Sequence, residues 1–293
     1  MPSYGCLYPR IALGIVAVSF GAIFTRLASE ASPYAIAAWR LTLAALVLAP
    51  VALLRGRRTM TRRGLAWSLG SGAALALHFV LWISSLEHTT VASSVLFVST
   101  HPIFVGVGSI VFLRERFSRP LLAGIALAVI GGAVIGFGDM QFGGPALRGD
   151  LLALGGGAMA AVYFLIGRHV RRSVSLSEYV ATAYATAAVL VLLLCLATRT
   201  RLTEFAPTTY LHLVLLALVP QLIGHSTINW ALRRLSASRV SVLVLAEPIG
   251  SAALAVPFFH EVPGGLNLLG AAVILTGIYL SLRGKEERDA TQS

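Results

Sequence analysis

Glu247 stands directly before Pro248, in the middle of a long apolar stretch. A charged side chain at bilayer depth costs roughly 3 kcal/mol on insertion scales, so an ionisable group there is a functional candidate by default. Two chemistries are open to it, carrying a proton or holding a ligand amine. A neutral, hydrogen-bonded structural role is the alternative. Pro248 removes a backbone donor and frees a carbonyl one turn earlier. His101 precedes Pro102 in another apolar stretch, and an imidazole there either titrates near neutral pH or is a satisfied structural group. Gln221, His225 and Asn229 follow at i, i+4 and i+8, a spacing that puts all three on one helix face. Such a stripe reads as a cavity wall or as interhelical hydrogen bonding. His78 and Trp82 repeat the theme at i, i+4, although Trp82 also suits an interfacial belt. Arg40 beside Trp39 either pairs with a ligand carboxylate or Glu247, or snorkels to the headgroups. Tyr163 reads as cavity lining or as packing.

The elements that must position these groups follow from composition. The chain of 293 residues is 57% hydrophobic and 12% charged, with a mean hydropathy of +0.81. Soluble domains carry about 25% charged residues. The apolar stretches each run near the length of about 20 residues that a helix needs to cross a bilayer. Backbone groups in lipid must be paired internally, which leaves helices or a closed barrel, and barrel strands are about 10 residues long and alternate. The expectation is an all-α integral membrane protein with ten transmembrane helices. These lie near 11–28, 32–54, 64–86, 90–113, 119–138, 149–167, 178–198, 208–231, 237–258 and 265–283. The first is read as a retained span rather than a cleaved leader. Cys6 and Cys195 suggest neither a disulfide nor a metal site, and no cofactor is implied.

The net charge of +11 is almost entirely arginine. The arginines sit between the spans rather than on one soluble face, which argues against nucleic-acid binding. With the N-terminus cytoplasmic, eighteen cations fall on the inside, among them Arg10, Arg62, Arg63, Arg168, Arg171, Arg172, Arg233, Arg234 and Arg283. Only Arg26, Arg148, Arg199 and Arg201 fall outside. The positive-inside rule therefore predicts both ends in the cytoplasm, and one missed span would scramble the alternation.

Sliding the chain by 146 residues sets His101-Pro102 on Glu247-Pro248, Glu115 on Glu261, Gly124 on Gly270 and Gly131 on Gly277. Five spans per copy is an odd number, so the second copy must be inverted. Inverted repeats are typical of secondary transporters, with the substrate site near the midplane between them. The repeated arrangement of a mid-span Pro, a helix-end Glu and a glycine-rich next span, carried by 91–136 and 237–278, resembles the EamA-type branch of the drug/metabolite transporter superfamily. The resemblance implies two inverted five-helix repeats, 11–138 and 149–283, around a central cavity. It further implies export or exchange of small metabolites such as amino acids, coupled to protons or running down a gradient, and a multi-pass cell (inner) membrane location as monomer or dimer. His101 departs from the apolar residue usual at that position.

Glu115 and Glu261, at opposite ends of the bundle, read as a repeated structural device such as a helix cap. Gly124, Ala128, Gly132 and Gly136 form a small-residue ridge for close packing. Gly136-Phe137-Gly138-Asp139 matches the GxGD pattern of intramembrane aspartyl proteases, but no second membrane aspartate is available, since Asp150 falls in or beside a loop and Asp289 in the tail. No HExxH, GxSxG or GxxxxGK[ST] motif occurs, which argues against a zinc or serine enzyme and a nucleotide-driven pump. The combined expectation is an alternating-access carrier with a cavity between the third, fourth, eighth and ninth spans. Glu247 would exchange a proton or meet an amine, and Gln221, His225, Asn229 and His101 would supply hydrogen bonds. Trp82 and Tyr163 would form apolar walls. Multidrug, nucleoside or cofactor export and a membrane-embedded enzyme are the alternatives.

Overall fold

The computed structural model describes residues 6–54, 60–89, 94, 97–115, 117–137, 145–260 and 262–283. Gly138, Asp139, Glu261 and Asp289, all used in the sequence reading, lie outside the described residues. Among the described residues every regular element is helical and no strand occurs. The helices are α1 (Leu7–Leu27), α2 (Pro33–Leu54), α3 (Arg62–Ser85), α4 (His101–Val111), α5 (Arg119–Phe137), α6 (Pro145–Val170) and α7 (Leu176–Ala197), followed by α8 (Pro207–Ala231), α9 (Ala237–Phe259) and α10 (Gly265–Arg283). Eight of them are long and apolar enough to cross a membrane, among the described residues. His101–Val111 and Arg119–Val134 are apolar but shorter.

Local chemistry explains where the helices start. Thr61 caps α3 by accepting from the Gly64 N–H at 3.1 Å. Ser175 caps α7 by accepting from the Glu178 N–H at 3.3 Å, and its hydroxyl donates to the Glu178 carboxylate at 2.7 Å. The fourth span was expected over 90–113. Ser94, Phe97 and Val98 are already helical, and after a turn at Ser99 and Thr100 the helix resumes at His101. The same turn recurs 146 residues later at Leu245 and Ala246, splitting α9 into Ala237–Val244 and Glu247–Phe259. Pro102 and Pro248 each sit in the first turn of the helix that follows. A missing N–H costs nothing there, whereas inside a continuous helix it would break one hydrogen bond.

Packing relies on small residues. α3 lies against α6 and α7, α8 lies against α1 and α2, and α5 runs along α10. A Cβ on Gly124 would fall 2.6 Å from the Gly277 carbonyl oxygen, and one on Gly131 would fall 2.7 Å from that of Gly270. The backbones therefore meet directly at this seam. It corrects the expected ridge, because Gly132 faces open space while Gly131 makes the contact. The seam follows the i+4, i+3 rhythm of a helical stripe rather than strict i+4 spacing. Leu13, Leu46, Leu77, Leu193 and Leu268 are exposed on the outside of the bundle, as a lipid-facing surface requires.

Glu115 does not act as a cap. Its carboxylate pairs with Arg168 of α6 at 3.4 Å with both side chains largely buried, and Arg168 also donates to the Leu232 carbonyl at 3.0 Å. The link joins the α4–α5 turn to the ends of α6 and α8. Asp150 lies inside α6 rather than in a loop, and it accepts from Thr89 at 2.8 Å.

Candidate functional site

The break before α4 and the break within α9 face a cavity inside the bundle. Seven of the nine sequence candidates line it: Arg40, His78, Trp82, His101, Tyr163, His225 and Glu247. Gln221 and Asn229 are fully buried one layer behind, where each orients a lining residue. The Gln221 carboxamide oxygen accepts from Arg40 Nε at 2.7 Å, and Asn229 Nδ2 donates to the Tyr163 hydroxyl at 2.6 Å.

Arg40 does not snorkel. It is 2% exposed, and its guanidinium lies 4.1 Å from the centre of the Phe79 ring, a cation–π contact strengthened by burial. With Nε committed to Gln221, the two terminal nitrogens are left for the cavity. A planar guanidinium fork matches a carboxylate. Glu247, partly exposed to the cavity, is the opposite charge, and the two act on each other electrostatically. The first turn of the second α9 segment is held on α1 by a reciprocal clasp. Ser19 Oγ donates to the Glu247 carbonyl at 3.2 Å, and Ser251 Oγ donates to the Ser19 carbonyl at 2.9 Å.

Between the charges the walls are aromatic. His78 stacks parallel on Trp82 at 6.2 Å, His225 meets Phe79 edge-on at 5.4 Å, and His101 meets Phe164 at 5.7 Å. His78 Nδ1 donates to the Gly156 carbonyl at 2.9 Å, and His101 Nδ1 donates to that of Val98 at 3.1 Å. A carbonyl can only accept, so each of these rings carries its proton on Nδ1. Trp82 is buried rather than interfacial, and its indole N–H has no partner among the described residues. The Gln221 amide nitrogen and His225 Nδ1 are likewise buried and unpaired. Buried polar groups without partners are costly, and water or a bound polar group in the cavity would satisfy them.

The stripe of α8 owes its geometry to a feature absent from the sequence reading. Ala217–His225 is π-helical and contains Pro220. Proline cannot donate to the carbonyl four residues earlier, and π-turns recur at functional sites. The sequence reading also passed over Phe79, Phe164, Tyr184 and Ser251. Phe79 neighbours His78, and Ser251 lies one helical turn after Glu247, so both were within reach of spacing arguments. Tyr184 donates to the Gln221 carbonyl at 3.4 Å and was one hydroxyl among many in an apolar span.

Four likenesses to known proteins bear on the chain. The sequence pattern of the EamA-like transporter family matches residues 8–137 and 147–283. A probable terminal-alkyne amino-acid exporter of Streptantibioticus cattleyicolor is 29% identical over 82% of this chain and 81% of its own. A probable amino-acid metabolite efflux pump of Salmonella typhimurium is 27% identical over 61% of this chain and 63% of its own. A solved structure at 22% identity shares the fold with a TM-score of 0.81, covering 95% of this chain and 97% of the other.

Proposed function

The chain belongs to the EamA-like transporter family, a multi-pass membrane transporter rather than an enzyme, and from that premise we propose that it exports amino acids or closely related zwitterions by alternating access. The observation that carries this reading is the pairing of one cation and one anion, Arg40 and Glu247, in a single buried aromatic-walled cavity. A substrate carboxylate fits the Arg40 fork, its ammonium fits Glu247, and Phe79, Trp82 and Phe164 take an apolar side chain. The names of the two relatives, both concerned with amino-acid export, agree with this cargo.

Ten spans in two inverted repeats, near 11–138 and 149–283, complete the proposal. Helix packing supports it. Renaming each helix of one half as its counterpart in the other exchanges the α3–α6 contact with α8–α1, and the α3–α7 contact with α8–α2, and both members of each exchange occur. The arginine bias supports both ends in the cytoplasm of an inner membrane. Proton coupling through Glu247 is part of the proposal, and the protein acts on its substrate as a monomer or dimer.

The test is protein-dependent uptake of pooled labelled amino acids into proteoliposomes, with and without a pH gradient. Accumulation that rises with the gradient and vanishes in Glu247→Gln is the expected result. Uptake of nucleosides or lipophilic cations in place of every amino acid would sink the zwitterion reading.

A further inference from the structure

Away from the cavity, where α1 begins and α6 and α8 end, arginines from three parts of the chain converge. Arg10 of α1 lies 5.5 Å from the centre of the Trp230 ring at the end of α8, and Arg234 lies 3.8 Å from it. Arg171, just after α6, is buried and occupied, donating to the carbonyls of Asn229 and Val174. Arg168 is occupied by Glu115 and Leu232. Arg10, Arg233 and Arg234 are exposed and make no ion pair among the described residues. Arg234 donates only to the Trp230 carbonyl, at 3.3 Å.

These like charges press on one another. Burial lowers the Arg171 guanidinium to about 10, and repulsion from Arg233 and Arg234 adds to it. Arg234 is lowered by burial, then by Arg233 and Arg10. Capping of helix carbonyls accounts for Arg168 and Arg171, but not for Arg10 and Arg234, which share one ring, or for Arg233, which repels Arg234; among the described residues no protein anion offsets that repulsion. A phosphate would relieve it, since arginine forks bind phosphate oxygens in pairs. The ring that Arg10 and Arg234 share is a tryptophan at a helix end, the headgroup depth at which tryptophan concentrates.

We propose that Arg10 and Arg234, which face the Trp230 ring, form with Arg233 beside them a binding site for the phosphate of an anionic phospholipid headgroup. The occupant is a lipid rather than a soluble phosphate because two of the arginines face an interfacial aromatic at the edge of the apolar surface. Basic pockets between membrane helices hold anionic headgroups in this way. The site is independent of the cargo proposed for the cavity.

Native mass spectrometry of the full chain, released from mixed micelles of phosphatidylglycerol and phosphatidylethanolamine, tests the proposal. The expected result is retention of phosphatidylglycerol over phosphatidylethanolamine by at least about tenfold. That preference should fall to near parity in the triple variant Arg10→Gln, Arg233→Gln, Arg234→Gln. A charge-matched control at the opposite end of the bundle, Arg148→Gln with Arg199→Gln and Arg201→Gln, should keep it. Equal retention of the two lipids by the native chain would overturn the proposal, as would an undiminished preference in the triple variant. Displacement of the bound lipid by millimolar glycerol phosphate would assign the site to a soluble phosphate and remove the membrane from it.

Discussion

The seam between α5 and α10 and the cavity beside α9 treat the 146-residue sequence repeat in opposite ways. At the seam the equivalent glycines exchange partners. Gly124 meets Gly277 and Gly131 meets Gly270, while Gly124 is equivalent to Gly270 and Gly131 to Gly277. In the cavity the equivalences break. Glu247 stands opposite His101, His225 opposite Phe79, Gln221 opposite Leu75, and Arg40 opposite Thr186. The prolines, the turns before them and one apolar lining pair, Val98 and Val244, agree on both sides. Packing has been copied and chemistry has not. A backbone contact tolerates no side chain in either copy, whereas a binding site needs opposite charges in one place, which two identical copies would not supply.

The largest effect should come from filling the seam. Gly131→Leu drives a side chain into the Gly270 carbonyl and the Ile274 backbone, beyond the ~1–3 kcal/mol of ordinary overpacking. Loss of the monodisperse peak on size exclusion is expected, while Gly132→Ala, facing open space, should behave as the native protein. Equal behaviour of the two variants would show that the seam is not a backbone contact.

Next comes the cavity. Arg40→Met leaves Glu247 without its counter-charge and Gln221 without its donor. Losing charged hydrogen bonds to the substrate carboxylate, at about 1.5–3 kcal/mol each, should lower transport by about 100-fold or more, with the seam intact and the protein still folded by thermal melt. Glu247→Gln should leave transport that no longer responds to pH, and a surviving pH response would remove the carboxyl from coupling. Asn229→Ala removes the 2.6 Å bond to Tyr163, and at about 1 kcal/mol per hydrogen bond it should raise KM several-fold without loss of expression.

The smallest effect lies outside both regions. Glu30, between α1 and α2, accepts from the Ala206 N–H at 2.9 Å and from Thr209 at 2.7 Å at the start of α8. Those bonds, with a contribution from Arg201, hold its carboxyl below the ordinary carboxylate range. A depressed pKa stabilises the folded state above the unfolded value, and the stabilisation is lost as pH falls through the folded one. The melting temperature should therefore drop in acid slightly more for the native chain than for Glu30→Gln. Parallel acid profiles would show that this loop contact adds nothing.

Much of the fold was legible because apolar runs and prolines report directly on span and break. Pro102 and Pro248 marked the interruptions, and Glu247 announced itself by its cost in lipid. The spacing of Gln221, His225 and Asn229 set out a polar face, but their tasks were hidden. That Gln221 steers Arg40 and Asn229 steers Tyr163 depends on contacts between residues 181 and 66 positions apart. Arg40 was ambiguous for the same reason, since a lone arginine in a span looks alike whether it reaches for headgroups or for a buried amide. The π-helical turn was invisible because Pro220 is compatible with a kink as well as with an extra residue per turn. Gly132 misled because identical residues in tandem cannot tell which of them touches a neighbour.

The seam also bears on the order in which the chain is made. α5 leaves the ribosome well before α10, so the Gly124–Ala128–Gly131 groove must wait in the membrane, filled by lipid tails, until the last helix arrives to displace them. The final helix is then less an appendage than the keystone of biogenesis. A nascent chain stopped after α9 would hold every residue of the cavity and still lack the surface that closes its own first half.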